Sequence, residues 1–283
     1  MKIVQFTIND DQVRVGVLSG ENVIDLNASN CTIPHSLVEL LGQGNALERI
    51  KKIVSNPKTT HKLAQVQLLS PITGPDKILG VALNYKEACD KANIPYTPEP
   101  VVFSKFASTI IGPYDVIQKP AASNQVDWEV ELVVVIGKKA RNVKVQNALD
   151  YVFGYTSTQD LTAKDWTQRN GGQFLLCKNM DNFCPLGPCV VTKDEIEDPH
   201  NIRVRTWVNG ELKQDGNTEE MVHRIDRLIE YLSEAMTLLP GDIICTGTPS
   251  GVGSSQNPPQ YLRKGDLLES DVEKIGKMAN RIV

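Results

Sequence analysis

The stretch DWEVELVVVIG, residues 127–137, contains the apolar run LVVVI, which predicts a strand buried on both faces. Glu129 and Glu131 lie just before this run, and alternate residues of a strand face the same side about 7 Å apart. A carboxylate at the mouth of a buried strand needs a partner, and a cation is the simplest one. The alternative is an amphipathic strand whose acidic face is hydrated.

A third acidic residue, Asp160, follows the strand-like segment FGYTSTQ and precedes LTAKDWTQRN, which has helical character. Its position is compatible with two roles, because an aspartate can cap the start of a helix or bind a cation together with the two glutamates. With no histidine or cysteine nearby in sequence, the three carboxylates would form an all-oxygen ligand set. Such a set suits Mg²⁺, with Mn²⁺ or Ca²⁺ as alternatives, better than Zn²⁺.

The segment TGTPSGVG, residues 246–253, follows the strand-like DIICT. Its glycines allow backbone amides to approach an anion closely, and Thr246 and Thr248 add hydroxyl groups. The segment lacks the Gly-Lys-Ser/Thr ending of a Walker A loop, which excludes a nucleotide-binding interpretation. It is either an ordinary glycine turn or a nest for a substrate carboxylate.

Lys178 lies in FLLCKNMDNFCPLGP, immediately after an apolar run. Most lysines are solvated surface charges. A lysine that emerges from an apolar strand near a metal site could instead stabilise an enolate or move a proton, because desolvation lowers its pKa. The sequence alone leaves both interpretations open.

The composition indicates an ordinary globular protein, with 283 residues, 41% hydrophobic residues, 23% charged residues and a net charge of −4. That charge provides no basic footprint for nucleic acid. The absence of a long apolar run argues against a membrane partner, and MKIVQFTINDD shows no targeting pattern. We therefore expect a soluble protein of the cytoplasm or the mitochondrial matrix.

Cysteine and histidine spacing excludes several other classes of site. The six cysteines include no CxxC pair, so neither a zinc site nor a redox dithiol is predicted, and most should be reduced, buried thiols. The four histidines stand beside no recognisable serine or cysteine nucleophile motif, which removes support for a catalytic triad.

Strand-like runs dominate the chain without regular alternation with helices, which predicts a mainly β, α+β fold. A Pro- and Gly-rich stretch at 71–75 predicts a small N-terminal domain, 1–72, and a catalytic domain, 73–283. The first domain should hold an antiparallel meander with turns at NDD and SGE, then two helices: KIVQFTI, QVRVGVL, NVIDL, PHSLVELL and NALERIKKIVS. The second should hold eight strands and one clear amphipathic helix: KILGVAL, VVFSKF, WEVELVVVI, FGYTSTQ, IRVRTWV, DIICT, DLLESDV, KMANRIV and MVHRIDRLIEYLSEAM.

An ordered set of segments covers nearly the whole chain and resembles the fumarylacetoacetate hydrolase family. These segments are VALNY (81–85), FSKFASTIIGPYD (103–115), DWEVELVVVIGKKAR (127–141), QDLTAKDW (159–166), CKNMDNFCPLGP (177–188), DPHNI (198–202), VNGEL (208–212) and GDIICTGTPSGVG (241–253). The resemblance implies a mixed β-sandwich or roll with a few helices, and a homodimer. It implies that Glu129, Glu131 and Asp160 bind Mg²⁺ or a similar ion, that Lys178 is the active-site lysine, and that Thr248 meets a substrate carboxylate.

The chain departs from the family pattern at two places. Members usually read N-Y-x-x-H-x-x-E after the first strand, with a His-Glu dyad that activates water, whereas this chain has Ala88 and Lys91 there. The family's D-x-x-x-R-D reads DLTAKD, so Lys164 replaces an arginine that would bind a carboxylate as a bidentate fork.

The resemblance to members assigned as oxaloacetate tautomerases predicts a metal-dependent tautomerase that acts on oxaloacetate or a related 2-oxo dicarboxylate through an enolate. Hydrolysis would also need a base to activate water, and the dyad that supplies it is missing. Two alternatives stay open. One is an acylpyruvate or fumarylacetoacetate hydrolase or an oxaloacetate decarboxylase, and the other is a catalytically impaired paralogue that binds metal and a dicarboxylate.

Overall fold

A computed structural model describes residues 1–9 and 12–283 of the chain and shows a mainly β protein with a few short helices. The strands are β1 (Lys2–Thr7), β2 (Arg14–Ser19), β3 (Asn22–Asp25), β4 (Thr60–Lys62), β5 (Gln67–Leu69), β6 (Ile78–Ala82), β7 (Val101–Lys105), β8 (Ile110–Ile111), β9 (Val126–Asp127), β10 (Val130–Ile136), β11 (Val152–Gln159), β12 (Thr162–Ala163), β13 (Cys184–Thr192), β14 (Arg203–Val208), β15 (Glu211–Asn217), β16 (Ile243–Cys245), β17 (Leu267–Val272) and β18 (Gly276–Arg281). The α-helices are α1 (Leu26–Ser29), α2 (Leu37–Gly42), α3 (Ala46–Val54), α4 (Lys86–Ala92), α5 (Lys164–Thr167), α6 (Leu175–Lys178) and α7 (Ile225–Ala235).

Within the described residues, one large sheet contains twelve of these strands. Its main path runs β4-β3-β2-β1-β13-β11-β10-β16-β6-β7, while β5 pairs with β1 and β8 pairs with β13. A four-stranded sheet, β15-β14-β17-β18, and the short pair β12-β9 complete the β-structure. The expectation of a mainly β, α+β fold is confirmed. None of the helices described is long and apolar enough to cross a membrane.

The predicted N-terminal meander is confirmed, because β1, β2 and β3 pair antiparallel in sequence order. Asp10 and Asp11, two residues of the predicted NDD turn, lie outside the described residues. The meander joins the rest of the large sheet where Ile3 of β1 pairs with Val190 of β13. The N-terminal segment thus shares sheet hydrogen bonds with the later strands, and a domain boundary between residues 72 and 73 stays a prediction.

Strand β13 was not predicted, although all nine of its residues are buried. Pro185 and Pro188 hide it in the sequence, because proline cannot donate a ladder hydrogen bond and is uncommon inside sheets. The sheet accommodates them by changing partners along the strand. Cys184 and Pro185 pair with the short parallel strand β8, and the register with β11 shifts between Tyr155 and Ser157.

Strand β10 is buried on both faces, as its apolar run predicts. Leu132 and Val134 pack into a core that includes α7, whereas Val133 and Val135 pack into a second core that includes α2 and α3. Neighbouring residues of the strand therefore enter cores on opposite faces of the large sheet. The central position of β10 fixes the acidic residues at its start against both layers.

Five of the six cysteines are buried, and Cys31 is exposed. None of them forms a disulfide among the described residues.

Truncating a core side chain of α7 should destabilise the fold. Leu228 is completely buried, so Leu228→Ala should lower the free energy of unfolding by about 2–5 kcal/mol through lost burial and a cavity. Leu212→Ala is the matched control, because Leu212 is exposed and its truncation should cost about 0.5 kcal/mol or less. Urea denaturation followed by circular dichroism measures both, and equal costs for the two variants would contradict this assignment of the core.

Candidate metal and substrate site

Glu129, Glu131 and Asp160 converge at one end of β10. Each is buried and offers an oxygen atom, and these atoms all lie within 4.8 Å of one another. The convergence follows from the pairing of β10 with β11, in which Val130 faces Gln159. The acids lie next to this pair in sequence, Glu129 and Glu131 on either side of Val130 and Asp160 after Gln159. The backbone N–H of Asp160 donates to the carbonyl oxygen of Glu129 at 2.8 Å. We call these three residues the acidic cluster.

The helix-cap alternative for Asp160 is wrong. Helix α5 begins at Lys164, and its N-cap residue is Ala163, which makes no side-chain cap hydrogen bond. The side chain of Asp160 instead forms ion pairs with Lys105 and Lys178. It therefore belongs to the acidic cluster.

Two buried glutamines hold the backbone where the strand pairing is interrupted before Val130. The side-chain oxygen of Gln159 accepts from the N–H of Glu129 at 2.7 Å, and that of Gln214 accepts from the N–H of Val130 at 3.2 Å. The amide group of Gln214 also donates to the hydroxyl of Thr248 at 2.8 Å and to the carbonyl of Pro249 at 2.9 Å. Neither glutamine stands out in the sequence, because each looks like an ordinary polar residue of a strand.

Three lysines surround the acidic cluster. Nζ of Lys178 lies 2.7 Å from Glu129 and is also ion-paired with Asp160. Nζ of Lys105 lies 2.8 Å from Asp160, and Nζ of Lys164 lies 2.7 Å from Glu129. Sequence reasoning missed Lys105, which is completely buried on β7 and donates to the carbonyl of Lys178 at 2.5 Å.

Lys178 differs from its sequence-based description in two ways. It is the last residue of the short helix α6 and does not emerge from a strand. Its pKa is also raised, because the carboxylates of Asp160, Glu129 and Glu131 outweigh the burial that alone would lower it. Burial does act in the expected direction, but the net pKa is raised, and Nζ of Lys178 is ion-paired with Glu129 and Asp160. For Glu129, burial opposes ionisation, but Lys164 and Lys178 bring its pKa well below the usual range.

Glu131 is the acid of the cluster that no lysine neutralises directly. Among the described residues it makes no salt bridge, and its carboxylate accepts from the backbone N–H of Gly247 at 2.8 Å. Burial, followed by the neighbouring charge of Asp160, raises its pKa well above the usual range. The hydroxyl of Tyr85 is also buried and makes no hydrogen bond in the described part of the chain, and burial, followed by the charge of Glu131, raises its pKa. Buried hard oxygens with unmet charge fit a divalent cation.

The segment Thr246–Gly251, which we call the glycine loop, links this cluster to a possible substrate position. Thr246 is structural, because its buried hydroxyl donates to the carbonyl of Leu132 at 2.8 Å. Thr248 is partly exposed, and its hydroxyl accepts from Gln214, which leaves its own proton to donate to an anion. Gly247 has φ +97, and a Cβ there would lie 3.0 Å from the carbonyl oxygen of Val81. This close approach requires glycine.

Asp127 anchors the chain immediately beyond the glycine loop. Its buried carboxylate accepts from the backbone N–H groups of Trp128, Gly253 and Ser254 at 2.9, 2.5 and 2.9 Å. The same residue lies two positions before Glu129, so one side chain connects the loop to the start of the acidic segment. No local feature of the sequence indicates this role for Asp127.

The structure also places the two residues that depart from the family dyad. Ala88 of α4 is partly buried and packs against the core that contains α7. Lys91, on the same helix, is exposed and forms an ion pair with Glu87 at 2.7 Å. Neither side chain can act as the base that the dyad would supply.

Together, the mainly β fold and a buried acidic cluster flanked by lysines define a candidate metal-dependent enzyme of small molecules. The family model for the fumarylacetoacetate (FAA) hydrolase C-terminal domain matches residues 77–283. The chain belongs to the fumarylacetoacetate hydrolase family, which confirms the resemblance seen in the sequence.

Relatives match over nearly their full length. The chain is 47% identical to "Oxaloacetate tautomerase FAHD2B, mitochondrial" of Bos taurus, over 94% of this chain and 85% of that protein. It is 44% identical to "Oxaloacetate tautomerase Fahd2a, mitochondrial" of Rattus norvegicus, over 100% of this chain and 92% of that protein.

Solved structures show the same fold. A fumarylacetoacetate hydrolase from Exiguobacterium antarcticum is 35% identical with a TM-score of 0.89, over 100% of this chain and 99% of that one. A maleylpyruvate hydrolase from Sphingobium sp. SYK-6, in complex with manganese (II) ion and pyruvate, is 30% identical with a TM-score of 0.82, at the same coverage. This fold therefore includes a protein solved with a divalent metal ion.

Removing the Asp127 carboxylate should loosen the end of the glycine loop. Asp127→Ala leaves three backbone N–H groups without their acceptor, so the free energy of unfolding should fall by about 3 kcal/mol or more. Amide hydrogen exchange at Gly253 and Ser254 should become faster. Asp181→Ala, at an exposed aspartate, is the matched control and should change neither quantity. Unchanged exchange at Gly253 and Ser254 in Asp127→Ala would show that the anchor is unimportant.

Proposed function

We propose that this chain is a divalent-metal-dependent keto-enol tautomerase that acts on oxaloacetate or a closely related 2-oxo dicarboxylate. The observation that carries the proposal is the buried acidic cluster with the ammonium group of Lys178 held against it. The names of relatives that are 44–47% identical over most of both chains support the choice of substrate.

Glu129, Glu131 and Asp160 would hold the metal ion, which we propose to be Mg²⁺, with Mn²⁺ or Ca²⁺ as alternatives. When bound, such an ion polarises the carbonyl of a 2-oxo acid as a Lewis acid and favours the enolate. The fit rests on the chemistry of the donors, which are three carboxylates with Glu131 lacking a direct lysine partner. The manganese ion in the maleylpyruvate hydrolase structure supports a divalent ion in this fold.

Lys178 is the proposed proton-handling residue. Its Nζ lies 2.7 Å from Glu129 and is paired with Asp160, so the proton it carries is held at the acidic cluster. A tautomerase must move a proton between the oxygen and the carbon of the enol, and a positioned side chain promotes that transfer. Lys164 and Thr248 are the proposed substrate-binding residues. Lys164 supplies positive charge beside Glu129, and Thr248 offers its free hydroxyl proton.

Tautomerisation is favoured over hydrolysis because hydrolysis needs an additional base. At the two positions of the family dyad, Ala88 carries only a methyl group and Lys91 is ion-paired with Glu87. Proton transfer to and from the substrate needs neither residue. The alternatives are an acylpyruvate or fumarylacetoacetate hydrolase or an oxaloacetate decarboxylase with another base, and an impaired paralogue that only binds metal and dicarboxylate.

The relevant assay follows freshly dissolved enol-oxaloacetate by ultraviolet absorbance. With Mg²⁺ the protein should accelerate the decay of the enol, a chelator should abolish the acceleration, and acetylpyruvate should not be cleaved. Cleavage of acetylpyruvate would favour the hydrolase alternative. No acceleration, with metal binding intact, would leave the impaired paralogue as the better interpretation.

Glu131→Gln should weaken the binding of Mg²⁺ without unfolding the protein. The substitution should weaken Mg²⁺ binding by at least about tenfold, since even residues behind metal ligands contribute about 10–100-fold. The melting temperature without metal should not fall, because burial already disfavours the ionised form of Glu131 and the amide oxygen can still accept from the N–H of Gly247. Calorimetry and thermal denaturation measure the two effects. Glu269→Gln on β17 is the control, and Mg²⁺ affinity equal in both variants would rule out Glu131 as a ligand.

We also propose that the protein is a homodimer. Phe106, Leu175 and Leu176 are exposed and lie close together, because Asn179 hydrogen-bonds to the backbone of both Phe106 and Leu175. An apolar patch of this kind is typical of interaction surfaces. Light scattering after size-exclusion chromatography should give twice the chain mass of 31.3 kDa, and a monomer mass would contradict the proposal.

The names of two relatives include the word "mitochondrial". For this chain, a location in the cytoplasm or the mitochondrial matrix stays a prediction.

A further inference from the structure

Helix α4 carries two charged residues that both reach the glycine loop. Glu87 and Lys91 lie one helical turn apart, with Nζ of Lys91 2.7 Å from a carboxylate oxygen of Glu87. The same Nζ lies 3.1 Å from the hydroxyl of Ser250, and that hydroxyl donates to Glu87. Side chains of the helix therefore meet the loop through Ser250.

The glycine loop connects Lys91 to the acidic cluster through Ser250 and Gly247. Gly247 donates its N–H to Glu131, and Ser250 follows only three residues later. Three residues span at most about 11 Å even when fully extended. Thr248, the proposed contact for a substrate carboxylate, lies between the two ends. Lys91 thus stands on the solvent side of the segment whose inner end contacts the cluster.

Lys91 differs from the other lysines of the site in its freedom to change partners. Lys105, Lys164 and Lys178 are each within 2.8 Å of an acid and are mostly or completely buried. The side chain of Lys91 is 62% exposed and that of Glu87 is 49% exposed, and an ion pair so open to water is weak. Within the described part of the chain, Lys91 supplies the only cationic side chain that hydrogen-bonds to the glycine loop.

We propose that Lys91 binds the distal carboxylate of a 2-oxo dicarboxylate, the one not adjacent to the carbonyl, and so makes the site selective for diacids. The proposal rests on the proposed function, because it assumes that the other end of the substrate lies at the acidic cluster. Lys91 is then a specificity-determining residue. Glu87 is the acid that pairs with Lys91 in the free protein and competes with the ligand for it.

This assignment gives a reason for a lysine at this place in the helix. A 2-oxo dicarboxylate brings two negative charges, and its second charge needs a cation near the mouth of the site. An acid at position 91 would repel the distal carboxylate of a diacid. It would not affect the binding of a 2-oxo monoacid, which has no distal carboxylate. Charge at this one position therefore separates diacids from monoacids without changing the acidic cluster.

Oxaloacetate and pyruvate form a matched ligand pair, because pyruvate lacks only the distal carboxylate. Calorimetry with Mg²⁺ present would measure the binding of both ligands to the wild type and to Lys91→Met. Oxaloacetate binding should weaken about tenfold, the size expected for one charge-assisted hydrogen bond, while pyruvate binding should stay within about twofold. Lys86→Met is the matched control, because Lys86 is an exposed lysine of the same helix, and it should bind both ligands like the wild type.

Glu87→Gln provides a second test with the opposite sign. It removes the competing acid, so oxaloacetate should bind about two- to fivefold more tightly and pyruvate equally well. Equal weakening of both ligands in Lys91→Met, the same weakening in Lys86→Met, or a wild type that binds both ligands alike would overturn the proposal. If the wild type prefers oxaloacetate through Lys91 but does not accelerate decay of the enol, the tautomerase function fails while the role of Lys91 stands.

Discussion

Three carboxylates are buried side by side in this protein, and lysine ammonium groups are held against them. Acids this close together in a protein interior repel one another and lose hydration, so they need cations held in place. Three elements supply these cations, with Lys105 on β7, Lys164 on α5 and Lys178 on α6. The lysines do not neutralise the three carboxylates equally. Glu131 receives only a backbone hydrogen bond among its direct contacts in the described residues, which is the position where an additional cation would be most stabilising.

Hydrogen bonds tie the segments around the acidic cluster to neighbouring strands and to the glycine loop. Two buried glutamines replace ladder hydrogen bonds where β10 begins, and Gln214 joins that point to the glycine loop. Asp127 fixes the far end of the same loop. Helix α4 is different, because its contact with the loop is made by exposed side chains. The interior of the site is thus fixed, while its outer edge can adapt to a ligand.

Sequence reasoning succeeded where the signal is local. The apolar run of β10, the meander and helix α7 follow from periodicity over a few residues, and the acid spacing indicated a shared site. It failed where the decisive partner is distant in the chain. Lys105 and Gln214 have unremarkable neighbours in sequence, and their roles depend on contacts with Asp160, α6 and the glycine loop. The prolines of β13 concealed a buried strand, and the pKa of Lys178 depends on acids that only the fold brings close.

The most direct test of a divalent-metal centre is anomalous X-ray diffraction from crystals of the protein grown with Mn²⁺. The expected result is a strong anomalous peak coordinated by carboxylate oxygens of Glu129, Glu131 and Asp160. The absence of a peak at the acidic cluster, with Lys178 still ion-paired to Glu129 and Asp160 at saturating Mn²⁺, would contradict it. In that case the lysines alone would neutralise the buried acids, and the cluster would be a structural ion-pair network.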